Sequence, residues 1–119
     1  MEPNWNHPFN IKSNIEGLKN SKVPIIIYSL TEEAEAIANA CYEKGIKVTA
    51  FCDNEIRKTN KIKFNHKVIY TPDLPKHFPD ANFIIGHHTL DDCAEQLSDL
   101  GYNNFYSPLN IFKNYQIDK

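Results

Sequence analysis

Cysteine is scarce in this chain: three residues, odd in number and scattered at Cys41, Cys52 and Cys93. That excludes a disulfide framework and fits a reducing cytoplasm. Long apolar runs are missing too; the longest are far too short to span a bilayer. The first residues, Met1-Glu2-Pro3-Asn4-Trp5, lack the apolar stretch of a secretory signal. Excess positive charge is absent, with a formal net charge of -2 and no basic stripe. Nucleic acid is therefore not the expected partner, because phosphate binding needs clustered Lys and Arg. There is no Gly-x-Ser-x-Gly elbow, no Walker loop and no pair of catalytic carboxylates. A phosphoacceptor receiver domain is excluded, because Ser29-Leu30 and Ser107-Pro108 stand where it needs an acidic pair and a lysine.

What the chain does contain is a regular alternation. Its 119 residues suit one domain with one core. Val23–Tyr28 is an apolar run that reads as a central parallel strand, covered on both faces. Ala34, Ile37, Ala38 and Cys41 then recur at helical spacing and predict one buried stripe, with Glu32, Glu33, Glu35, Asn39, Glu43 and Lys44 on the wet side. Gly45 follows, where a left-handed cap is wanted, and Ile46–Cys52 reads as a second strand. This is the opening βαβ unit of a nucleotide-binding α/β domain.

The rest repeats the theme. Residues 53–67 read as a polar, basic loop, with Ile62 and Phe64 expected to pin it to the sheet edge. A short strand is expected over Lys67–Tyr70. Thr71-Pro72-Asp73-Leu74 reads as a helix start capped by Thr71, and Pro75 and Pro79 keep that helix short. Phe83–Gly86 reads as a strand. Thr89-Leu90-Asp91-Asp92 reads as a capping box for a helix whose stripe is Leu90, Cys93, Ala94, Leu97 and Leu100, ended by Gly101. Tyr102–Tyr106 is a fifth candidate strand. Ser13-Asn14-Ile15-Glu16 fits a capping box for a short helix over about Asn14–Asn20, within an arm that packs its apolar residues on the sheet's flank.

The expected architecture is α/β: a three-layer, Rossmann-like domain of about five parallel strands in the order 3-2-1-4-5. Residues 1–22 form the arm, 23–108 the domain, and 109–119 a tail or a short helix carrying Leu109, Phe112 and Tyr115.

In such a sheet ligands bind outside the carboxyl ends of the strands, at the switch point. Three segments converge there: Ser29–Glu33, Asp53-Asn54 and Gly86-His87-His88. Laid on the dinucleotide fingerprint, the first reads Ser29-Leu30-Thr31-Glu32-Glu33-Ala34. Ala34 is acceptable, but Ser29 and Thr31 stand where glycine is wanted. Glu32 and Glu33 also place carboxylates on the positive helix end that a pyrophosphate would use. A tight dinucleotide site is disfavoured, while the hydroxyls suit a sugar or a single phosphate. Asp53 lies 24 positions after Ser29 (53 − 29), near the spacing at which an acid meets a ribose hydroxyl. It equally fits a loop cap. His87 and His88 adjoin the same cleft, but neighbouring strand residues point to opposite sides and chelate one ion poorly. No four-ligand metal spacing is present, and Cys52 reads as a buried, inert thiol.

Val48-Thr49-Ala50-Phe51-Cys52-Asp53-Asn54, His66-Lys67-Val68-Ile69-Tyr70-Thr71-Pro72-Asp73-Leu74, Ala81-Asn82-Phe83-Ile84-Ile85-Gly86 and Gln96-Leu97-Ser98-Asp99-Leu100-Gly101-Tyr102 together resemble a known domain. It is the small Rossmann-like N-terminal domain of bacterial sugar-modifying proteins. That domain precedes the catalytic part in PglD-type acyltransferases and in some FkbM-type methyltransferases. The resemblance covers about Val23 to Pro108. It implies a nucleotide-sugar held by Ser29, Leu30, Thr31, Asp53, Asn54, Gly86 and His87, with no catalysis by this domain alone; His88 is a further candidate from its place beside the cleft, and NAD(P) is the other candidate ligand. It also implies a catalytic domain that follows in the same chain or acts as a partner. The alternative is a degenerate domain used for docking or homo-oligomerisation through Trp5, Phe9, Phe112 and Tyr115, with no ligand.

Overall fold

Four consecutive apolar residues with no charge among them can be buried on both faces, and Ile25–Tyr28 (β2) does this at the centre of a sheet. A computed structural model describes residues 11–12, 15–29, 32–86 and 90–108 of the chain. Around β2 the other strands are Ile11–Lys12 (β1), Ala50–Asp53 (β3), Lys61–Lys63 (β4), His66–Tyr70 (β5), Asn82–Ile85 (β6) and Phe105–Tyr106 (β7). They form one seven-stranded sheet in the order β1-β7-β6-β2-β3-β5-β4. Every neighbouring pair is parallel except β4 with β5. The protein is therefore α/β, with a mostly parallel sheet compatible with a Rossmann-like fold.

This strand order differs from the five-strand, all-parallel expectation by one added edge on each side. At one edge, Ile11 and Lys12 of the supposed arm pair with Phe105 and Tyr106. At the other, part of the supposed loop turns back as β4. Ile62 is not a pin: it is 72% exposed on that edge. Phe64 does pack on the core, where its ring meets Phe51 edge-on at 5.6 Å. The second strand is also shorter than its apolar run. Ile46 and Val48 are buried outside regular strand, and β3 starts only at Ala50.

Strand alternation divides the core into two layers. Ile25, Ile27, Phe51, Val68 and Ile84 face Ala34, Ile37, Ala38 and Cys41 of helix α1 (Glu32–Glu43). Ile15 and Leu18, from a single 3-10 turn and not from a full helix, join this layer. Ile26, Tyr28, Cys52, Ile69, Phe83 and Ile85 face the other way, toward Leu74 of helix α2 (Leu74–His77) and Cys93, Ala94 and Leu97 of helix α3 (Leu90–Asp99).

Both long helices end in the same way. Ile46 N–H donates to Cys41 O at 2.8 Å and Gly45 N–H to Tyr42 O; Tyr102 N–H donates to Leu97 O at 3.0 Å and Gly101 N–H to Ser98 O. These are paired Schellman bonds, and each needs a left-handed residue, supplied by Gly45 (φ 78°) and Gly101 (φ 104°). The short α2 departs from expectation at its start. Its lead-in 3-10 turn over Thr71–Asp73 has no side-chain cap, and Thr71 is fully buried instead of capping. Among the described residues no helix is long and apolar enough to cross a membrane.

Candidate functional site

Helix α1 leaves β2 on one face of the sheet, and α3 leaves β6 on the other. β2 and β6 are neighbours. The crossovers thus part between these two strands, and the general rule for open parallel sheets puts a binding crevice outside their carboxyl ends.

Ser29 ends β2 with φ 78°, and its N–H donates to Cys52 O at 2.6 Å. This is the left-handed backbone for which glycine is normally chosen, held here by a serine. Replacing Ser29 by Gly should raise stability by about 0.5 kcal/mol, the relieved strain being partly offset by a freer unfolded chain. Ser29→Val should lower it by about 1–2 kcal/mol, because a β-branched residue is poorly placed at positive φ. Urea unfolding of the two variants measures both signs.

Opposite Ser29, Gly86 is buried at the end of β6. A Cβ there would stand 2.5 Å from Ile37 Cδ1 and 3.4 Å from Glu33 Cδ. A side chain at Gly86 would therefore have to displace the terminal methyl of Ile37, which packs α1 against the end of β6. The same contact sets the Glu33 side chain beside the end of β6, at the first turn of α1.

Asp53 ends β3 and is only 7% exposed. Its Oδ1 accepts the Glu55 N–H at 2.8 Å, an Asx turn that caps the strand end. Asn54 turns toward α3. Its Nδ2 donates to Tyr28 Oη at 2.8 Å and to Gln96 Oε1 at 3.0 Å, and Gln96 Nε2 returns a bond to Asn54 Oδ1 at 2.8 Å. Tyr28 Oη donates to Gln96 Oε1, closing a three-membered neutral network. Burial, and then the adjacent Cys93, raise the Tyr28 phenol far above its ordinary range, with partial relief from Asn54. Beneath the network, burial pushes the Cys52 thiol up to about 12. Thr71 stands beside that thiol, and its buried hydroxyl has no well-aligned hydrogen bond. At neutral pH these groups donate and accept hydrogen bonds without charge.

Of the residues read from the sequence, Ser29, Asp53, Asn54 and Gly86 meet at the carboxyl edge of the sheet. Leu30, Thr31, His87 and His88 lie outside the described residues. Tyr28 and Gln96 were missed. Tyr28 carries a faint signal as the one polar tip on an aliphatic strand. Gln96 carries another, flanking the Cys93–Leu97 stripe at the edge of its buried face. Among the described residues no three His, Cys, Asp or Glu side chains gather as metal ligands.

Fold and crevice define the class: an α/β domain with a mostly parallel sheet, helices on both faces, and a neutral polar network at the carboxyl edge. Beyond that class, the sequence matches no protein-family model, no curated protein and no solved structure.

Proposed function

We propose that this chain is a Rossmann-like module that binds a nucleotide-sugar at the crevice between β2 and β6. It would serve a sugar-modifying enzyme of glycan synthesis and catalyse nothing alone. With the edge strands set aside, we read the sheet as the 3-2-1-4-5 core of such a module. The observation that supports the reading is Ser29: its positive φ is the backbone that glycine supplies in a dinucleotide-binding turn. Asp53 and the Tyr28–Asn54–Gln96 network lie alongside, offering hydrogen bonds suited to ribose or sugar hydroxyls. Glu33 weakens the phosphate seat, so affinity is modest and the uncharged part of the ligand contributes most of it.

Thermal shift and calorimetry with UDP, UDP-sugars and NAD(P) test this. Binding near about millimolar ligand is expected, seen as a raised Tm. Glu33→Gln should tighten binding of the phosphorylated ligands several-fold. Silence of both proteins toward every ligand would remove the reading. A second reading, a docking or oligomerisation domain without ligand, is favoured by one feature: Asn54 and Gln96 already bond to each other in both directions. Silence, together with a dimer by light scattering, supports it.

A further inference from the structure

The β4 edge carries charge opposite to that of the whole chain. From Glu55 to Lys67 stand Arg57, Lys58, Lys61, Lys63 and Lys67, against the single acid Glu55 and a chain net charge of -2. Glu55 is taken by Arg57 at 3.1 Å and Lys58 at 3.2 Å, and these cations hold its carboxyl below the usual range. Among the described residues, Lys61, Lys63 and Lys67 have no ion-pair partner.

Among the described residues β4 is the last strand of the sheet and pairs only with β5, so one row of its backbone N–H and C=O groups is left without a strand partner. Its register opposes Lys61 to Val68 and Lys63 to His66, and places Ile62 on the other face beside Lys67. All three β4 side chains are exposed. The exposed Ile62 serves no core, and a second exposed isoleucine, Ile56, lies on the 3-10 turn that precedes the strand.

The edge is also pre-shaped. Phe64 (φ 49°) and Asn65 (φ 66°) make a two-residue turn with both centres left-handed, the hairpin form that matches strand twist. Phe64 is anchored on Phe51 and its carbonyl is bonded by His66 Nδ1 at 2.6 Å. An extended partner would therefore find a strand already ordered, which lowers the entropic cost of joining it.

We propose that β4 is a docking edge for an extended acidic segment of another protein, which adds to the sheet as a further strand. Carboxylates on one side of that segment face Lys61 and Lys63, and an apolar residue on the other covers Ile62. The lysines repel a second copy of the same edge, so self-pairing is opposed while an acidic strand is selected. Phosphate-rich partners fit less well: they use neither the open backbone row nor the isoleucine, and three free lysines are few for a charge-driven site.

Fluorescence anisotropy on the full chain, with labelled peptides of about eight residues, tests the proposal. One alternates Glu with Val and Thr; a second has the same charge but a central proline; a third replaces Glu by Lys. The first should bind, weaken with salt, and slow amide exchange at Lys61–Lys63. The other two should bind at least tenfold more weakly. A Lys61→Glu, Lys63→Glu double variant, checked for an unchanged Tm, should lose the acidic peptide and gain the lysine peptide. Equal binding of the proline peptide would overturn strand addition. So would tighter binding of single-stranded RNA or anionic vesicles, or no peptide binding at all.

Discussion

Truncation of Phe51 to alanine should cost about 3–5 kcal/mol of stability, the range for removing a large buried ring. For a domain of this size that lowers Tm by roughly 12–20 °C. Phe51 is fully buried in β3 between β2 and β5, pairing with Ile27 and Val68. Its ring is met edge-on by Phe64 at 5.6 Å and by His66 at 5.5 Å. The loss would therefore have two parts. One is the apolar area and cavity under α1. The other is release of Phe64, whose positive φ is held in place by that packing. Amide exchange should speed up first at residues 61–68, ahead of α3. Tyr42→Ala, at an exposed site on α1, is the matched control and should change stability by less than about 0.5 kcal/mol. A Phe51→Ala protein as stable as the parent would mean that the α1 layer does not hold the sheet as described.

The second large effect is alkaline. Burial pushes the Cys52 thiol from 9.0 to about 12 and the Cys41 thiol from 9.0 to about 11; the Tyr28 and Tyr102 phenols also move upward, chiefly by burial. All are held neutral in the fold. Above pH 9 the unfolded chain releases thiol protons that the folded chain retains, so the folded state binds more protons and stability falls as pH rises. The stabilisation is complete below pH 9, is lost from Cys41 by about pH 11, and is lost from Cys52 by about pH 12. Because Cys52 is wholly buried, its shift alone corresponds to about 4 kcal/mol across that window. Tm measured from neutral pH upward should be flat to pH 9 and then drop steeply, and Cys52→Ala should flatten the slope while lowering the plateau. In the same state, Cys41, Cys52 and Cys93 should resist iodoacetamide at neutral pH and react only in denaturing urea. Rapid native labelling, or a Tm indifferent to alkali, would contradict the burial that produces both effects.

The Phe51 effect and the Cys52 part of the alkaline effect probe opposite faces of the sheet, while Cys41 reports on the Phe51 face. Phe51 and Cys41 belong to the α1 layer, Cys52 and Tyr28 to the α3 layer. Both faces of β3 are filled, and only its carboxyl end, at Asp53 and Asn54, reaches the crevice. That division makes the crevice testable by Ser29, Glu33 and Asn54 substitutions without disturbing Phe51.

How much was legible depends on the range over which each feature is decided. The α1 stripe of Ala34, Ile37, Ala38 and Cys41 is local, because its burial follows from helical spacing within one segment. The glycine ends at Gly45 and Gly101 are local too, because a left-handed cap is a property of one residue. The same holds for the proline-limited α2 and the apolar run of β2. By contrast, β1 and β4 are too short and too polar to announce themselves, since an edge strand needs neither face to be apolar. Ile62 misled for the same reason: an apolar residue within a polar segment usually marks burial, and here it marks an edge.

By itself, then, the sequence determined the α/β alternation, the burial stripes, the helix ends and the absence of glycine from the turn after β2, all set within a few residues of chain. Only the tertiary structure decided that Ser29 adopts a positive φ, that Glu33 lies against Gly86, and that Tyr28, Asn54 and Gln96 share one network. Those partners are separated by 26 to 68 positions. What brings them together is which strands become neighbours and which face each helix covers, and no local periodicity encodes either.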